Sequence, residues 1–126
     1  MRLDVDMQNV GIARRFVHAS FDGLVPTHIA SDLVLATSEL VTNAFEHGRA
    51  SSVLVTVRSD DARASVTVRS AAPPGAIAAV DSWTPAPPDQ ISGRGLGIVH
   101  RIADAVDVVH ADGEVAITVH RDLTVG

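Results

Sequence analysis

The sequence of 126 residues contains no cysteine and no lysine, since all ten of its basic residues are arginine. Without cysteine, the chain cannot build disulfide frameworks, thiolate zinc sites or a cysteine nucleophile. Without lysine, it lacks the residue that a Walker-type phosphate loop and a Schiff-base enzyme both require. These two absences exclude several large classes of enzyme and the disulfide-rich secreted proteins.

Positive charge is scarce and dispersed along the chain. The 15 acidic residues give a formal net charge of −5, and the longest run of arginine is Arg14-Arg15. This balance argues against nucleic acid as a partner. No apolar run approaches the roughly 20 residues of a membrane span, and the first residues lack the charged-then-apolar layout of a signal peptide. We therefore expect a cytoplasmic protein that binds neither nucleic acid nor membrane.

The residues that are present suit a single domain over residues 1–126. Hydrophobic residues make up 46% of the chain, which is enough for an ordinary core at this length. Five of the six prolines lie between Pro73 and Pro88. Because proline interrupts both helices and sheets, residues 71–92 are predicted to form a long loop. A loop of this length in a compact domain usually indicates a lid or a binding loop.

Hydrophobic periodicity predicts helices and strands on both sides of this loop. In chain order, the predicted elements are an edge strand at 3–6, helices at 8–21 and 27–47, strands at 52–58 and 64–69, a helix at 95–104, and strands at 106–110 and 115–120. This order predicts an α+β fold, because helices precede and interrupt antiparallel strand pairs. We expect a two-layer α/β sandwich, with a mixed or mostly antiparallel sheet of about five strands and about three helices on one face.

The long predicted helix at 27–47 combines an apolar stripe with polar residues at its border. The stripe consists of Ile29, Leu33, Ala36, Leu40 and Ala44. Asn43 and His47 fall beside it, and Glu39 lies one turn before Asn43. Polar groups beside a core need partners, because burying them unpaired costs about 1–3 kcal/mol. The pattern leaves two interpretations open: a polar helix end beside the cap at Gly48, or side chains that face a ligand.

A second signal is the segment Gly93-Arg94-Gly95-Leu96-Gly97, which enters the predicted helix at 95–104. Alternating glycines let a backbone approach an anion, and a helix N-terminus presents free N–H groups to it. The segment does not match the dinucleotide-binding fingerprint, which follows a strand directly and reads GxGxxG. Taken alone, it fits either a phosphate-binding turn or a flexible hinge at the end of the loop.

Together, the run ELVTNAFEHG from Glu39 to Gly48 and the run GRGLG from Gly93 to Gly97 resemble the histidine-kinase-like (Bergerat) ATPase superfamily. The resemblance covers nearly the whole chain, which is similar in size to the small anti-sigma-factor serine kinases. It implies the Bergerat ATP-binding fold, with ATP and Mg²⁺ as ligands. It also implies a regulatory protein that phosphorylates a small antagonist protein and binds a sigma factor.

The resemblance assigns roles to individual residues. Glu39 matches the carboxylate that activates the attacking hydroxyl, and Asn43 matches the asparagine that holds Mg²⁺. The other positions assigned to the nucleotide site are His47, Ser70, Gly75, Gly93, Arg94, Gly95, Leu96 and Gly97. Residues 71–92 match a mobile lid, and His47 is expected to serve packing and helix closure.

The resemblance also implies protein contacts, because anti-sigma relatives are commonly dimeric. We expect a homodimer built from residues 1–21, since an edge strand and an apolar helix face occur together there. A monomer whose first helix packs wholly on its own sheet is the competing interpretation. The sigma or antagonist partner is expected to dock nearer the lid, where Trp83 can act as an anchor.

Two positions depart from the family's pattern. Where the family has an aspartate that accepts the adenine amino group, this chain has Ser70. Where the family commonly has a threonine after the last hairpin's glycine, this chain has Glu114, Val115 and Ala116. Three hypotheses therefore stay open: an ATP- and Mg²⁺-dependent protein serine/threonine kinase, a protein-binding module with a degenerate pocket, and a stand-alone nucleotide sensor.

Overall fold

The computed structural model describes residues 1–47, 52–71 and 94–123. Over these residues the elements are β1 (Arg2–Asp4), α1 (Gln8–Phe21), α2 (Thr27–His47), β2 (Ser52–Ser59), β3 (Arg63–Ala71), α3 (Arg94–Ile102), β4 (Ala105–Ala111) and β5 (Glu114–Asp122). Three helices and a five-stranded sheet form an α+β sandwich in this part of the chain. The predicted fold class is confirmed.

Strands β2 to β5 extend further than the sequence pattern predicted, whereas β1 ends at Asp4, two residues before the predicted end of the edge strand. The last hairpin shows why its strands are longer. Its connection is only the two residues Asp112 and Gly113, both with positive φ, at 55° and 77°. Two consecutive positive φ values are typical of the tight turn that matches the twist of a hairpin, and Asp-Gly is a preferred pair there. Ala111 therefore pairs with Glu114 instead of belonging to the turn.

The sheet has the order β1-β2-β3-β5-β4, and every described neighbouring pair is antiparallel. Alternate residues of its three inner strands face the helices, as expected for a half-buried sheet. The buried members of this face are Val53, Val55, Ala64, Val66, Val68, Ser70, Val115, Ile117 and Val119. The helices α1 and α2 pack over β2, β3 and β5, so the hydrophobic core lies between the two layers.

Helix α2 occupies the middle of the helical layer, in contact with both α1 and α3. The stripe predicted for it is buried throughout, from Ile29 to Ala44. Helix α1 buries Ala13, Val17 and Phe21 in the same core. Within the described residues, no helix is both long enough and apolar enough to cross a bilayer.

Arg121 of β5 connects three parts of the fold. Its guanidinium forms an ion pair with Asp32 of α2, and its Nε lies 3.0 Å from Oδ2 of Asp104, between α3 and β4. The same Oδ2 accepts a hydrogen bond from the backbone N–H of Asp122 at 2.7 Å. Only 17% of the Arg121 side chain is exposed. Because the guanidinium charge of Arg121 is largely removed from water, the carboxylates of Asp32 and Asp104 are needed to stabilise it.

We predict that Arg121→Gln lowers the free energy of unfolding by about 1–3 kcal/mol, because it leaves two partly buried carboxylates without their cation. The measurement is urea unfolding followed by circular dichroism. Arg101→Gln is the matched control: Arg101 is exposed on α3, and its replacement should change stability by less than about 0.5 kcal/mol. Equal losses in the two variants would contradict the role given to Arg121.

Candidate functional site

Glu39 and Asn43 lie one helical turn apart on α2, at the border of its buried stripe. Leu40 and Ala44, the residues that follow each of them, are buried, whereas Glu39 and Asn43 are half-buried. Residues four apart on a helix are neighbours on its surface. The amide and the carboxylate therefore form one polar patch, and their side chains make no hydrogen bond or ion pair with the described residues.

Helix α3 places the second motif beside α2. It begins at Arg94, so residues 94–97 form its first turn, in which backbone N–H groups have no partner within the helix. Gly97 is buried and Leu96 is half-buried. Because α2 and α3 are in contact, the structure brings the two motifs onto neighbouring helices despite their separation in the chain.

The two positions that depart from the family's pattern lie side by side. Ser70 of β3 and Val115 of β5 are register partners, and Ser70 is also paired with Val53 of β2. All three face the helical layer and are buried, with Ser70 only 6% exposed. A carboxylate at position 70 would therefore enter an enclosed and largely apolar surrounding.

The remaining predicted site residues are only partly covered by the structure. His47 is the last residue of α2, while Gly75, Gly93 and Trp83 lie outside the described residues, as do residues 72–92 of the predicted lid. Ala71, expected as the first residue of the lid, is instead the last residue of β3, because its backbone pairs with Glu114.

The donor set near Asn43 fits a metal ion that arrives with a nucleotide. Among the described residues, no group of three or more His, Asp or Glu side chains converges on a common point. Mg²⁺ is commonly held by one or two protein oxygens together with phosphate oxygens and water. The side-chain oxygen of Asn43 can supply such a ligand, whereas the described residues form no cage of protein side chains there.

A hydrogen-bond network on the outer face of the sheet was not predicted from the sequence. His120 of β5 bridges Ser65 of β3, with 2.6 Å between Nδ1 and Oγ, and Asp107 of β4, with 2.8 Å between Nε2 and Oδ2. Strand alternation places each of these residues on an outer face, but the contact depends on the register between strands. These hydrogen bonds connect β4, at the edge of the sheet, with β5 and β3.

Comparisons with known proteins support the same family. The family model described as histidine kinase-like ATPase domain matches residues 3–120. A search of the curated proteins finds no match. Among solved structures, a chain of the SiaB-SiaC complex from Pseudomonas aeruginosa is similar in fold, with a TM-score of 0.66 and 11% sequence identity, over 97% of this chain and 88% of that one. With the family model covering nearly all of its length, the chain belongs to the histidine kinase-like ATPase domain family.

Proposed function

We propose that this chain is an ATP- and Mg²⁺-binding regulatory protein of the anti-sigma-factor serine/threonine kinase type. The observation that carries the proposal is the patch of Glu39 and Asn43 on α2, a helix in contact with α3. The core stripe holds both polar side chains at the helix surface, free of other described partners. Membership of the ATPase family supports nucleotide as the ligand.

Each motif has a role in phosphoryl transfer. The N–H groups of the first turn of α3 suit an anion, since a helix N-terminus carries a positive partial charge. Asn43 would hold Mg²⁺, which neutralises phosphate charge when it is bound. Glu39 would accept the proton of a serine or threonine hydroxyl as that oxygen bonds to the γ-phosphorus. The bond from phosphorus to the bridging oxygen then breaks, and ADP leaves.

A protein partner is part of the proposal. A chain of similar fold occurs in the SiaB-SiaC complex, which supports a regulatory role exerted through another protein. For this chain we propose a sigma factor or its antagonist as that partner, with the cytoplasm as the location.

We predict that Asn43→Ala abolishes Mg²⁺-dependent ATP binding, measured by calorimetric titration, with little change in the melting temperature, because the side chain makes no described contact that the fold needs. Thr42→Ala, at the adjacent half-buried position, is the matched control and should bind ATP normally. Glu39→Gln should bind ATP but fail to transfer phosphate. A variant Asn43→Ala that unfolds while its affinity for ATP is unchanged would show that the residue serves the helix end.

The second candidate function is a protein-binding module with a degenerate nucleotide pocket. The observation that favours it is the juxtaposition of Ser70 and Val115, which puts both departures from the family's pattern on one enclosed patch of the sheet. Loss of an acceptor for the adenine amino group costs about 1–3 kcal/mol, or about 5- to 150-fold in affinity. This module would show no heat of binding with ATP and Mg²⁺ at millimolar concentration.

For the kinase type, we predict that Ser70→Asp strengthens ATP binding about tenfold or more, because the carboxylate restores an acceptor for the adenine amino group. GTP should gain nothing, since its base has a carbonyl at the corresponding position. Burial of the new carboxylate should also lower the melting temperature of the nucleotide-free protein. Calorimetric titration of wild type and variant with both nucleotides tests this, and equal gains for ATP and GTP would make the adenine assignment wrong.

For the proposed homodimer through residues 1–21, the exposed apolar side chains support contact at the β1 edge. The face of α1 formed by Ala13, Val17 and Phe21 is used within the chain's own core. Around β1, however, three large apolar side chains remain 42–58% exposed, namely Met1, Val5 and Met7. Among the described strands, β1 pairs only with β2, so its other edge can join a second copy.

We predict a mass near twice 13.2 kDa by light scattering at tens of micromolar protein. Replacement of both Val5 and Met7 by Asp should shift the mass to that of the monomer, because it places charge on the exposed apolar cluster. Leu24→Asp is the matched control, since Leu24 is 69% exposed and follows the last turn of α1, whereas β1 precedes the first turn. A wild-type mass near 13.2 kDa would reject the dimer and leave the nucleotide proposal untouched.

A further inference from the structure

A groove between α1 and α2 lies outside the nucleotide motifs and the β1 edge described above. It is a cleft of about 610 Å³, lined by Gly11, Arg14, Arg15, His18 and Val34. Four of these five residues belong to α1, and Val34 of α2 is the half-buried apolar member. The groove therefore combines cationic side chains with an apolar floor.

The groove is a positively charged region on an acidic protein. Helix α1 contains no Asp or Glu between Gln8 and Phe21, whereas the whole chain has a net charge of −5. Arg14, Arg15 and His18 are exposed, and none of them forms an ion pair with the described residues. An acidic ligand would find its complement here and be repelled over much of the remaining surface.

Gly11 lines the groove at a position where packing within the chain does not require glycine. Glycine in a helix interior is less favourable than any residue except proline. A Cβ built at Gly11 would meet only Nη1 of Arg15, at 3.5 Å, which is an ordinary contact. Packing within the chain therefore gives no reason for glycine, whereas a ligand seated against the backbone does.

The groove and the nucleotide motif face different sides of α2. Nine residues separate Val34 from Asn43, and at about 100° per residue the two side chains point in opposite directions. Helix α2 contacts both α1, which lines the groove, and α3, which carries the glycine-rich motif. A ligand in the groove can therefore bind independently of the nucleotide.

We infer that this groove binds an acidic segment of the protein partner, with an aliphatic side chain seated over Gly11 and Val34 and carboxylates paired with Arg14 and Arg15. The inference deepens the proposed function, since it identifies where a regulatory partner makes contact. It specifies the chemistry of that partner: carboxylates flanking an apolar side chain.

The test uses fluorescence anisotropy of a fluorescein-labelled 16-residue peptide with Leu and Glu at helical spacing, added to the nucleotide-free full chain. We expect a Kd on the order of 10–100 µM at low salt, typical of one short weak segment. The double variant Arg14→Glu and Arg15→Glu should weaken binding at least tenfold. The double variant Arg58→Glu and Arg101→Glu makes the same change in net charge at exposed positions elsewhere and should change the Kd less than twofold.

Variants of Gly11 test whether this glycine is needed for a ligand or only for the structure of the helix. Gly11→Ala should raise the melting temperature by about 2–6 °C, because alanine is the better helix former, and yet weaken the peptide. Gly11→Leu should fill the groove and weaken the peptide at least tenfold, with an unchanged circular dichroism spectrum. Asn43→Ala should leave peptide binding intact. Peptide binding therefore tests the groove separately from the proposed nucleotide site. No binding at 1 mM peptide, equal losses in the two charge variants, or normal binding by Gly11→Leu would overturn the inference.

Discussion

The seating of α2 on the sheet is the constraint on which the rest of the structure depends. Its buried stripe fixes the rotation of a helix of 21 residues, about 31 Å long. Since each residue turns the helix by about 100°, a shift of the stripe by one position would drive Asn43 or Glu39 into the core or out into solvent. Even the buried hydroxyl of Thr37 is satisfied within the helix, by donation to the carbonyl of Leu33 at 2.7 Å. The polar patch is thus a consequence of core packing.

Features set by local periodicity could be predicted from the sequence, whereas features set by register could not. The stripe of α2 and the tight turn at Asp112-Gly113 depend on residues close in the chain, so their patterns are visible in the sequence. The ion pair between Arg121 and Asp32 joins residues 89 positions apart, and no local signal indicates it. Strand ends were underestimated for a related reason, because a terminal residue such as Ala71 is held only by its partner on another strand.

In the candidate site, too, some features follow from local periodicity and others from the pairing of strands. Periodicity placed Glu39 and Asn43 together on one helix, and the structure adds that this helix contacts α3. The side-by-side placement of Ser70 and Val115 depends on the pairing of β3 with β5, two strands that come from different predicted hairpins. From the sequence, these were two separate departures from a family pattern. In the structure they are one altered patch, so a compensating change at one position has to fit the other.

The arrangement around α2 also limits how a partner can respond to nucleotide. Its Val34 side and its Asn43 side are separated by a stripe that includes fully buried residues such as Leu33 and Ala36. Close-packed interiors transmit strain and switch between discrete packings instead of deforming continuously. A partner held only in the groove between α1 and α2 would therefore respond to nucleotide only if nucleotide binding shifted α2 between two packings on the sheet. The other route to regulation by nucleotide is a second contact on the Asn43 side of the helix, and a partner that makes both contacts must reach around α2.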